Sequence, residues 1–286
     1  MQGRIQDLET LDSRQFSILV RGLANSIAYG VDRSPFVGSG VEYVQSRAYQ
    51  EGDPIRAIDW RITARTGRVH VKEYEAPKSV PTYFLVDTSA SMVVSSTARS
   101  KYHVALFAAG GLALASLDRV SPVGLVTVGT RALRFEPSLS QGRVLEWLHQ
   151  LRTYRFDEET RLAVRIAELR PRLPQRSLLI VLSDLHDAGA LAALKRLSQV
   201  HDVVVLELRD PAEYGILGAG WLRGREAESG RAVLGRSKHP HVSAEGAARA
   251  MRRAGIDHLL IHTDRPFAHD LRRLFKARGV LGRGTR

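Results

Sequence analysis

The sequence contains no cysteine, which excludes a disulfide framework, a thiolate nucleophile and a cysteine-ligated zinc site. It also lacks an apolar run that could cross a bilayer, because the longest candidate, 104–117, is shorter than the roughly 20 residues needed. The opening residues, MQGRIQDLETLDSRQF, have no apolar stretch of the kind found in signal peptides. These absences predict a cytoplasmic protein without a membrane span, in which 104–117 form a buried core helix.

Several motifs of common enzymes are absent as well. The phosphate-binding pattern GxxxxGK[ST] does not occur, and no GxGxxG follows a strand-like run. The serines at 89 and 91 are not framed by the GxSxG pattern of serine hydrolases. The sequence therefore gives no signature of nucleotide binding or of acyl transfer.

The charge is strongly positive, at a formal +12, and 36 of the 42 basic residues are arginine. Clustered arginines neutralise phosphates, so nucleic-acid binding through a basic surface is one hypothesis. Here the arginines are spread along most of the length, in a chain that is 44% hydrophobic and 25% charged, as ordinary soluble globular proteins are. We therefore predict a solvated basic surface and do not expect nucleic acid as the main partner.

From residue 81 onward, apolar runs alternate with helical patterns. The runs predict strands, and the patterns between them predict helices. The predicted strands are 82–86, 124–128, 132–135 at an edge, 177–182, 202–208 and 258–261. The predicted helices are 100–117, 141–151, 161–169, 188–200, 244–255 and 267–278. This alternation is typical of α/β proteins with a doubly wound, mostly parallel sheet, in which ligands bind beyond the carboxyl ends of the strands.

The predicted domain organisation has two parts. Residues 1–80 form an irregular N-terminal flank with a helix at 15–28 and a half-exposed strand in RVHVKEYEA. Residues 81–286 form the α/β domain, with a glycine-rich, charged insertion near 210–238.

Polar residues follow the predicted strands where a ligand site is expected. Asp87 comes directly after the first strand and Asp184 two residues after the fourth, and Thr160 begins a helix expected at the same edge. Taken singly, Ser91 fits a turn residue, Thr160 a helix N-cap and Asp184 a cap of the next helix. Taken together, the set is all oxygen, which suits Mg²⁺ or Mn²⁺. The predicted metal ligands are Asp87, Ser89, Ser91, Thr160 and Asp184.

A metal-dependent hydrolase or phosphatase using Asp87 and Asp184 is the catalytic alternative. A phosphatase with a strand-end aspartate nucleophile needs a second acid two residues later, and Ser89 stands at that position. We therefore predict a binding site without catalytic residues, in a protein that is not an enzyme.

The stretch DTSAS, with Thr160 and Asp184 later in the chain, resembles the metal-ion-dependent adhesion site of von Willebrand factor A-type domains. In that fold the motif is D-x-S-x-S on the first strand, a threonine on a later loop and an aspartate after the fourth strand. The resemblance implies a von Willebrand A-like, Rossmann-like fold. It also implies that an acidic side chain of a partner protein supplies the sixth metal ligand.

A second resemblance covers nearly the whole chain. The segments RAYQEGDPIRAIDWRITARTGRVHVKEYEAP, GLVTVG and LRDPAEYGILGAG are similar to the bacterial family called domain of unknown function 58. Members are commonly encoded beside MoxR-type AAA+ ATPases. The resemblance therefore implies an adaptor that works with such an ATPase, or its client, in chaperone-like maturation or assembly of other proteins.

Two smaller predictions concern charged residues outside the proposed ligands. Arginines and acids alternate in and around GDPIRAIDW, and we expect them to pair with one another and hold the flank in place; a partner-binding surface is the alternative. These residues are Arg47, Asp53, Arg56, Asp59, Trp60 and Arg61. His186, two residues past Asp184, is expected to be satisfied locally or to face solvent and not to bind the metal.

Overall fold

The computed structural model describes residues 4–5, 13–28, 42–75, 80–155, 157–173, 176–214, 221–225, 227, 232–236 and 244–277. The chain forms two compact units: Asp32–Ser79 is one, and Met1–Val31 with Val80–Arg286 is the other. The first helix thus groups with the larger unit, whereas the predicted flank included it.

Helices and strands alternate along most of the described residues of both units. The described helices are α1 (Ser13–Ala28), α2 (Trp60–Thr66), α3 (Lys101–Leu117), α4 (Gln141–Arg152), α5 (Leu162–Leu169), α6 (Ala190–Leu197), α7 (Ala244–Arg253) and α8 (Ala268–Ala277). The described strands are β1 (Arg4–Ile5), β2 (Glu42–Ala48), β3 (His70–Glu75), β4 (Thr82–Val86), β5 (Val94–Ser95), β6 (Val123–Thr127), β7 (Arg134–Ser138), β8 (Leu178–Ser183), β9 (Asp202–Arg209), β10 (Trp221–Arg225), β11 (Ala232–Arg236) and β12 (Asp257–His262). Each helix and strand predicted from residue 82 onward has a counterpart here, although Arg278 lies outside the described residues.

The central sheet has six strands in the order β12-β9-β8-β4-β6-β7, and only β7 runs antiparallel to its neighbour. The predicted α/β class with a mostly parallel sheet is therefore confirmed. β4 lies between β8 and β6, and Val86 at its end is in register with Leu182 and Thr127. Because these strands end together, the residues that follow them meet at one edge of the sheet.

Helices cover both faces of the sheet. Along β4, Phe84 and Val86 pack into a core with α1, α3, α4 and α8, whereas Tyr83 and Leu85 pack against α5, α6 and α7. This alternation follows from the two-residue period of a strand buried on both sides. As predicted, 104–117 belong to a buried core helix, α3. Within the described residues, no helix is long and apolar enough to span a membrane.

The smaller unit is built on the antiparallel pair β2 and β3, with α2 between them in the chain. The glycine-rich insertion of the larger unit contains an element that was not predicted, the antiparallel hairpin of β10 and β11.

Candidate metal centre

Asp87 lies at the centre of the sheet edge and is fully buried. Its backbone N–H donates to the carbonyl of Leu182 at 2.9 Å, which extends the β4–β8 pairing by one residue. Its Oδ1 accepts from the backbone N–H of Ser89 at 3.1 Å. Its Oδ2 accepts from the hydroxyls of Thr160, at 3.1 Å, and Ser183, at 2.5 Å. Among the described residues, the hydrogen-bond donors to this carboxylate are therefore all neutral.

The two serines of DTSAS connect Asp87 to the second carboxylate. After β4 the chain enters a 3-10 turn over 90–93, with Ser89 at its N-cap. The Oγ atoms of Ser89 and Ser91 lie 3.0 Å apart, and the Ser91 hydroxyl donates to Oδ2 of Asp184 at 2.9 Å. All the predicted ligand residues thus lie in one hydrogen-bonded set.

Thr160 reaches the site in a different way from the one predicted. It pairs with Gly129 in an isolated antiparallel β-bridge, and α5 begins at Leu162 with Arg161 as its N-cap. Thr160 is therefore not the helix N-cap. A bridge to the segment after β6 holds its hydroxyl near Asp87.

Glu158, two residues before Thr160, holds this segment against the residues that follow β4. Its buried carboxylate accepts from the Thr88 hydroxyl and from the backbone N–H of Arg131, the latter at 2.7 Å, while its carbonyl accepts from Ala90 N at 2.9 Å. A Cβ on Gly129 would overlap the Glu158 carboxylate and the Thr88 hydroxyl, so only glycine leaves room here. No local sequence pattern predicts these contacts of Glu158, since the partners are far apart in the chain.

Asp184 follows β8 and is also fully buried. The next residue, Leu185, has φ of 59°, a left-handed conformation that is uncommon for a residue with a side chain. Its N–H donates to the Ser183 hydroxyl at 3.0 Å, which stabilises the turn. The N-cap of α6 is Gly189, so Asp184 does not cap that helix.

Lys101 is the main residue that the sequence analysis missed. It is the first residue of α3, its side chain is 3% exposed, and its Nζ donates to Oδ2 of Asp184 at 2.7 Å. The same ammonium also bonds to Glu213. A single lysine at the start of an otherwise apolar helix was a signal in the sequence, because a buried ammonium needs an anionic partner.

The ion pairs continue from Glu213 along the sheet edge. Arg209 donates from Nη1 to Glu213 at 3.0 Å and to Nε2 of His186 at 3.2 Å, and from Nε to Glu207 at 2.8 Å. Nδ1 of His186 lies 3.4 Å from Asp184, and His258 contacts Glu207 at 2.6 Å. His186 is thus satisfied locally, as predicted. Asp184, His186 and Glu213 are close enough to chelate a metal, but Lys101 and Arg209 already bind their carboxylates.

The two carboxylates differ in their electrostatics. Burial and the nearby charge of Asp184 raise the pKa of Asp87 to about 7. Burial would also raise the pKa of Asp184, but the charges of Lys101 and His186, with hydrogen bonds from Lys101 and Ser91, hold that pKa below its usual value. Burial would lower the pKa of Lys101, yet Asp184 and Glu213 raise it.

The donor set fits a hard divalent cation. Neighbouring oxygens around Mg²⁺ lie about 3 Å apart, given octahedral geometry and Mg–O distances of about 2.0–2.1 Å. The oxygen separations here are 3.0 Å between Ser89 and Ser91, 3.1 Å between Thr160 and Asp87, and 2.9 Å between Ser91 and Asp184. In the described residues, no lysine or arginine forms an ion pair with Asp87, so no cationic side chain there neutralises its carboxylate.

Comparison with known proteins identifies relatives of this chain. A family model described as "Protein of unknown function DUF58" matches residues 45–254. Uncharacterized protein Rv1480 of Mycobacterium tuberculosis strain H37Rv is 26% identical over 295 residues, which cover 97% of this chain and 92% of that protein. Uncharacterized protein Mb1516 of Mycobacterium bovis matches with the same identity and coverage.

Solved structures give looser likenesses. The PilB minor pilin from Streptococcus sanguinis is 11% identical with a TM-score of 0.40, over 74% of this chain and 64% of the pilin chain. The chain thus spans less than two thirds of that pilin. An uncharacterized membrane spanning protein from Vibrio fischeri is 17% identical with a TM-score of 0.22, over 70% of this chain and 96% of that one.

Proposed function

The chain belongs to the family described as protein of unknown function DUF58, and we propose that it is a non-catalytic adaptor that binds a partner protein through a divalent cation. The cation is Mg²⁺, or Mn²⁺ in its place, and an acidic side chain of the partner completes its coordination. The residues that hold it, directly or through water, are Asp87, Ser89, Ser91, Thr160 and Asp184.

The observation that carries this proposal is the environment of Asp87. A fully buried carboxylate contacted only by hydroxyl and amide donors is unfavourable in its charged form, as its raised pKa indicates. A cation beside it supplies the missing charge and favours the ionised form. Serine and threonine oxygens add neutral ligands, which suit a cation that keeps open positions for water or a carboxylate.

The charges around Asp184 favour an acidic partner. Lys101 and Arg209 compensate Asp184 and Glu213 before any metal binds. Of the two carboxylates among the proposed ligands, Asp87 is thus the one that forms no ion pair with the described residues. A dication that meets one such carboxylate keeps an excess of positive charge, which a carboxylate of a partner protein would neutralise.

The occupied hydrogen bonds favour binding over hydrolysis. A general base must be able to accept a proton from water. His186, the imidazole near the site, is engaged by Asp184 and Arg209, so its ring is not free to take up a proton from water. These contacts support a site that positions a ligand without transforming it.

The finer fold assignment and the partner belong to the same proposal. The mostly parallel sheet, with this oxygen set at the carboxyl ends of β4 and β8, agrees with a von Willebrand A-like domain. The resemblance to families encoded beside MoxR-type AAA+ ATPases supplies the partner class, an ATPase of that type or its client. The process would then be the maturation or assembly of other proteins.

Affinity purification from the native cell tests this function. The tagged full chain is purified in Mg²⁺ and in chelator, beside Asp87→Ala and a control, Glu146→Ala, which removes an exposed carboxylate on α4. We expect an AAA+ ATPase in the Mg²⁺ eluates of the wild type and the control only. Identical eluates from all samples would contradict the metal-dependent adaptor.

A further inference from the structure

We propose that the exposed face of α2, in the smaller unit, is a docking surface for an acidic segment of a partner protein that also carries apolar side chains. This α2 face consists of Trp60, Arg61, Ala64 and Arg65, with Arg68 just beyond the helix. The inference uses none of the proposed metal ligands and goes beyond the function proposed above.

Local hydrogen bonds determine which side of α2 faces outward. Asp59, the buried N-cap, accepts from the backbone N–H groups of Arg61 and Ile62, at 3.1 and 3.2 Å, and from the Ser46 hydroxyl at 2.8 Å. On the inner side, the Thr63 hydroxyl accepts from the N–H of His70 in β3 at 3.0 Å. Positions 60, 61, 64 and 65 are exposed, which is the spacing of one helical face.

Trp60 supplies an apolar anchor on this face. It is 67% exposed, although tryptophan is usually well covered in folded proteins. Other apolar side chains of the same unit are exposed too: Ile55 is 74%, Val69 44% and Tyr49 40% exposed. Tryptophan and arginine are the residues most enriched among those that dominate binding energy at protein interfaces.

Among the described residues, no carboxylate forms an ion pair with the arginines of this face. Arg61 and Arg65 are one helical turn apart, a like-charge spacing that destabilises an isolated helix, and the first turn of α2 contains no acid. Nearby carboxylates are used elsewhere, since Asp53 pairs with Arg47 at 2.8 Å and Asp59 caps the helix.

Pairing within the flank is therefore only partial. Of the pairs expected from the sequence, the structure contains Arg47 with Asp53, whereas Arg56 and Arg61 form no ion pair with the described residues. An anionic partner would attract both Arg61 and Arg65 and so offset the repulsion between them.

The apolar residues favour a protein partner over nucleic acid. Protein–DNA interfaces are more polar than protein–protein ones, and single-stranded binding relies on aromatic stacking. Here Ile55, Ala64 and Val69 are exposed along with the arginines, and aliphatic side chains offer little to phosphates or base faces. A segment with carboxylates one helical turn apart and apolar residues beside them matches the α2 face in both charge and hydrophobicity.

The test uses the full chain and a fluorescein-labelled peptide of Glu, Leu and Ala in a helical repeat, followed by fluorescence anisotropy in chelator. We expect binding that weakens as NaCl concentration rises. Trp60→Ala and the double variant Arg61→Glu, Arg65→Glu should each lower the affinity about tenfold or more. Matched controls elsewhere, Leu139→Ala for an exposed apolar residue and Arg196→Glu for an exposed arginine of α6, should leave the affinity unchanged.

Several outcomes would overturn the proposal. They are no binding of the peptide, equal binding of the same peptide with Gln for Glu, or equal losses in the control variants. Tighter binding of a single-stranded DNA oligonucleotide that α2 variants abolish would assign the face to nucleic acid. Binding that requires Mg²⁺ and is lost in Asp87→Ala would assign the peptide to the metal centre. Circular dichroism of each variant checks that it folds.

Discussion

Asp87 and Asp184 follow adjacent strands of one sheet and are equally buried, yet the groups that contact their carboxylates differ in charge. Asp184 has an internal cation, Lys101, and its pKa is lowered, whereas Asp87 has neutral donors and a pKa raised to about 7. Among the described residues, the fold thus gives one carboxylate an ion-pair partner and the other none. On the proposed function, a metal would bind beside the second.

Lys101→Met leaves Asp184 buried without its cation, so that neither carboxylate is paired with a lysine. We expect the free energy of unfolding to fall by about 3–5 kcal/mol, the usual effect of removing one partner of a buried ion pair. Urea denaturation in chelator measures it, with Lys195→Met, an exposed lysine of α6, as the control that changes little. Equal effects of the two substitutions would mean that Lys101 does not compensate Asp184.

The pH dependence of stability tests the Asp87 side of the comparison. The folded-state pKa of about 7 lies above the ordinary value of 3.8, so between these pH values the folded protein holds a proton that the unfolded chain has released. In chelator, the stability that Asp87 contributes is therefore complete below pH about 4 and is lost as pH rises to about 7.

Asp87→Asn removes this titration, so the stability of the wild type relative to the variant should decrease across that window. Chemical denaturation at several pH values measures the difference. A relative stability that increases with pH would mean that a cationic side chain already compensates Asp87.

Gly129→Ala disturbs the segment that pairs with Thr160 and holds it near Asp87, and it leaves the ion pair of Asp184 in place. The added methyl group overlaps Glu158 and Thr88, and we expect a loss of about 1–3 kcal/mol in unfolding free energy together with weaker binding of Mg²⁺. Gly142→Ala is the control, because its nearest neighbour, the Ser140 hydroxyl, would be 3.5 Å away. An unchanged Mg²⁺ affinity in Gly129→Ala would show that this loop does not position a ligand.

Ser183→Ala gives the smallest expected effect. It removes the hydroxyl that donates to Asp87 at 2.5 Å, so the pKa of Asp87 should rise further and stability should fall by about 1–2 kcal/mol. Ser177, also buried and just before the start of the same strand, has no hydrogen-bond partner among the described residues. Ser177→Ala should therefore be neutral, and an equal loss in both variants would remove any special role for Ser183.

The sequence was most informative where one periodicity dominates. The strand predicted at 82–86 agrees with β4 residue by residue, because a short continuous apolar run between turn residues is typical of a strand covered on both faces. The hairpin of β10 and β11 was missed, since its glycine and arginine content hides any alternation. In the smaller unit, spacing alone could not tell which arginines pair.

The proximity of the proposed ligands could be predicted from the sequence, whereas the groups around them could not. The spacing of Asp87, Ser89 and Ser91 is local, and the strand-end rule brings Asp184 to the same edge. Lys101 and Glu158 reach the site through contacts 83 and 70 residues apart in the chain, which no local pattern encodes. Sequence therefore identified the oxygen set, and the structure was needed to learn which carboxylate is already neutralised.

The most direct test of a divalent cation at Asp87 is the melting temperature of the metal-free full chain. It is measured with and without millimolar Mg²⁺ or Mn²⁺. A ligand that binds the folded state stabilises it by about 1.4 kcal/mol at ten times its Kd. We predict a rise in the wild type and in Glu146→Ala, and none in Asp87→Ala. The same rise in all three proteins, or none in the wild type with either metal, would contradict a divalent cation at Asp87.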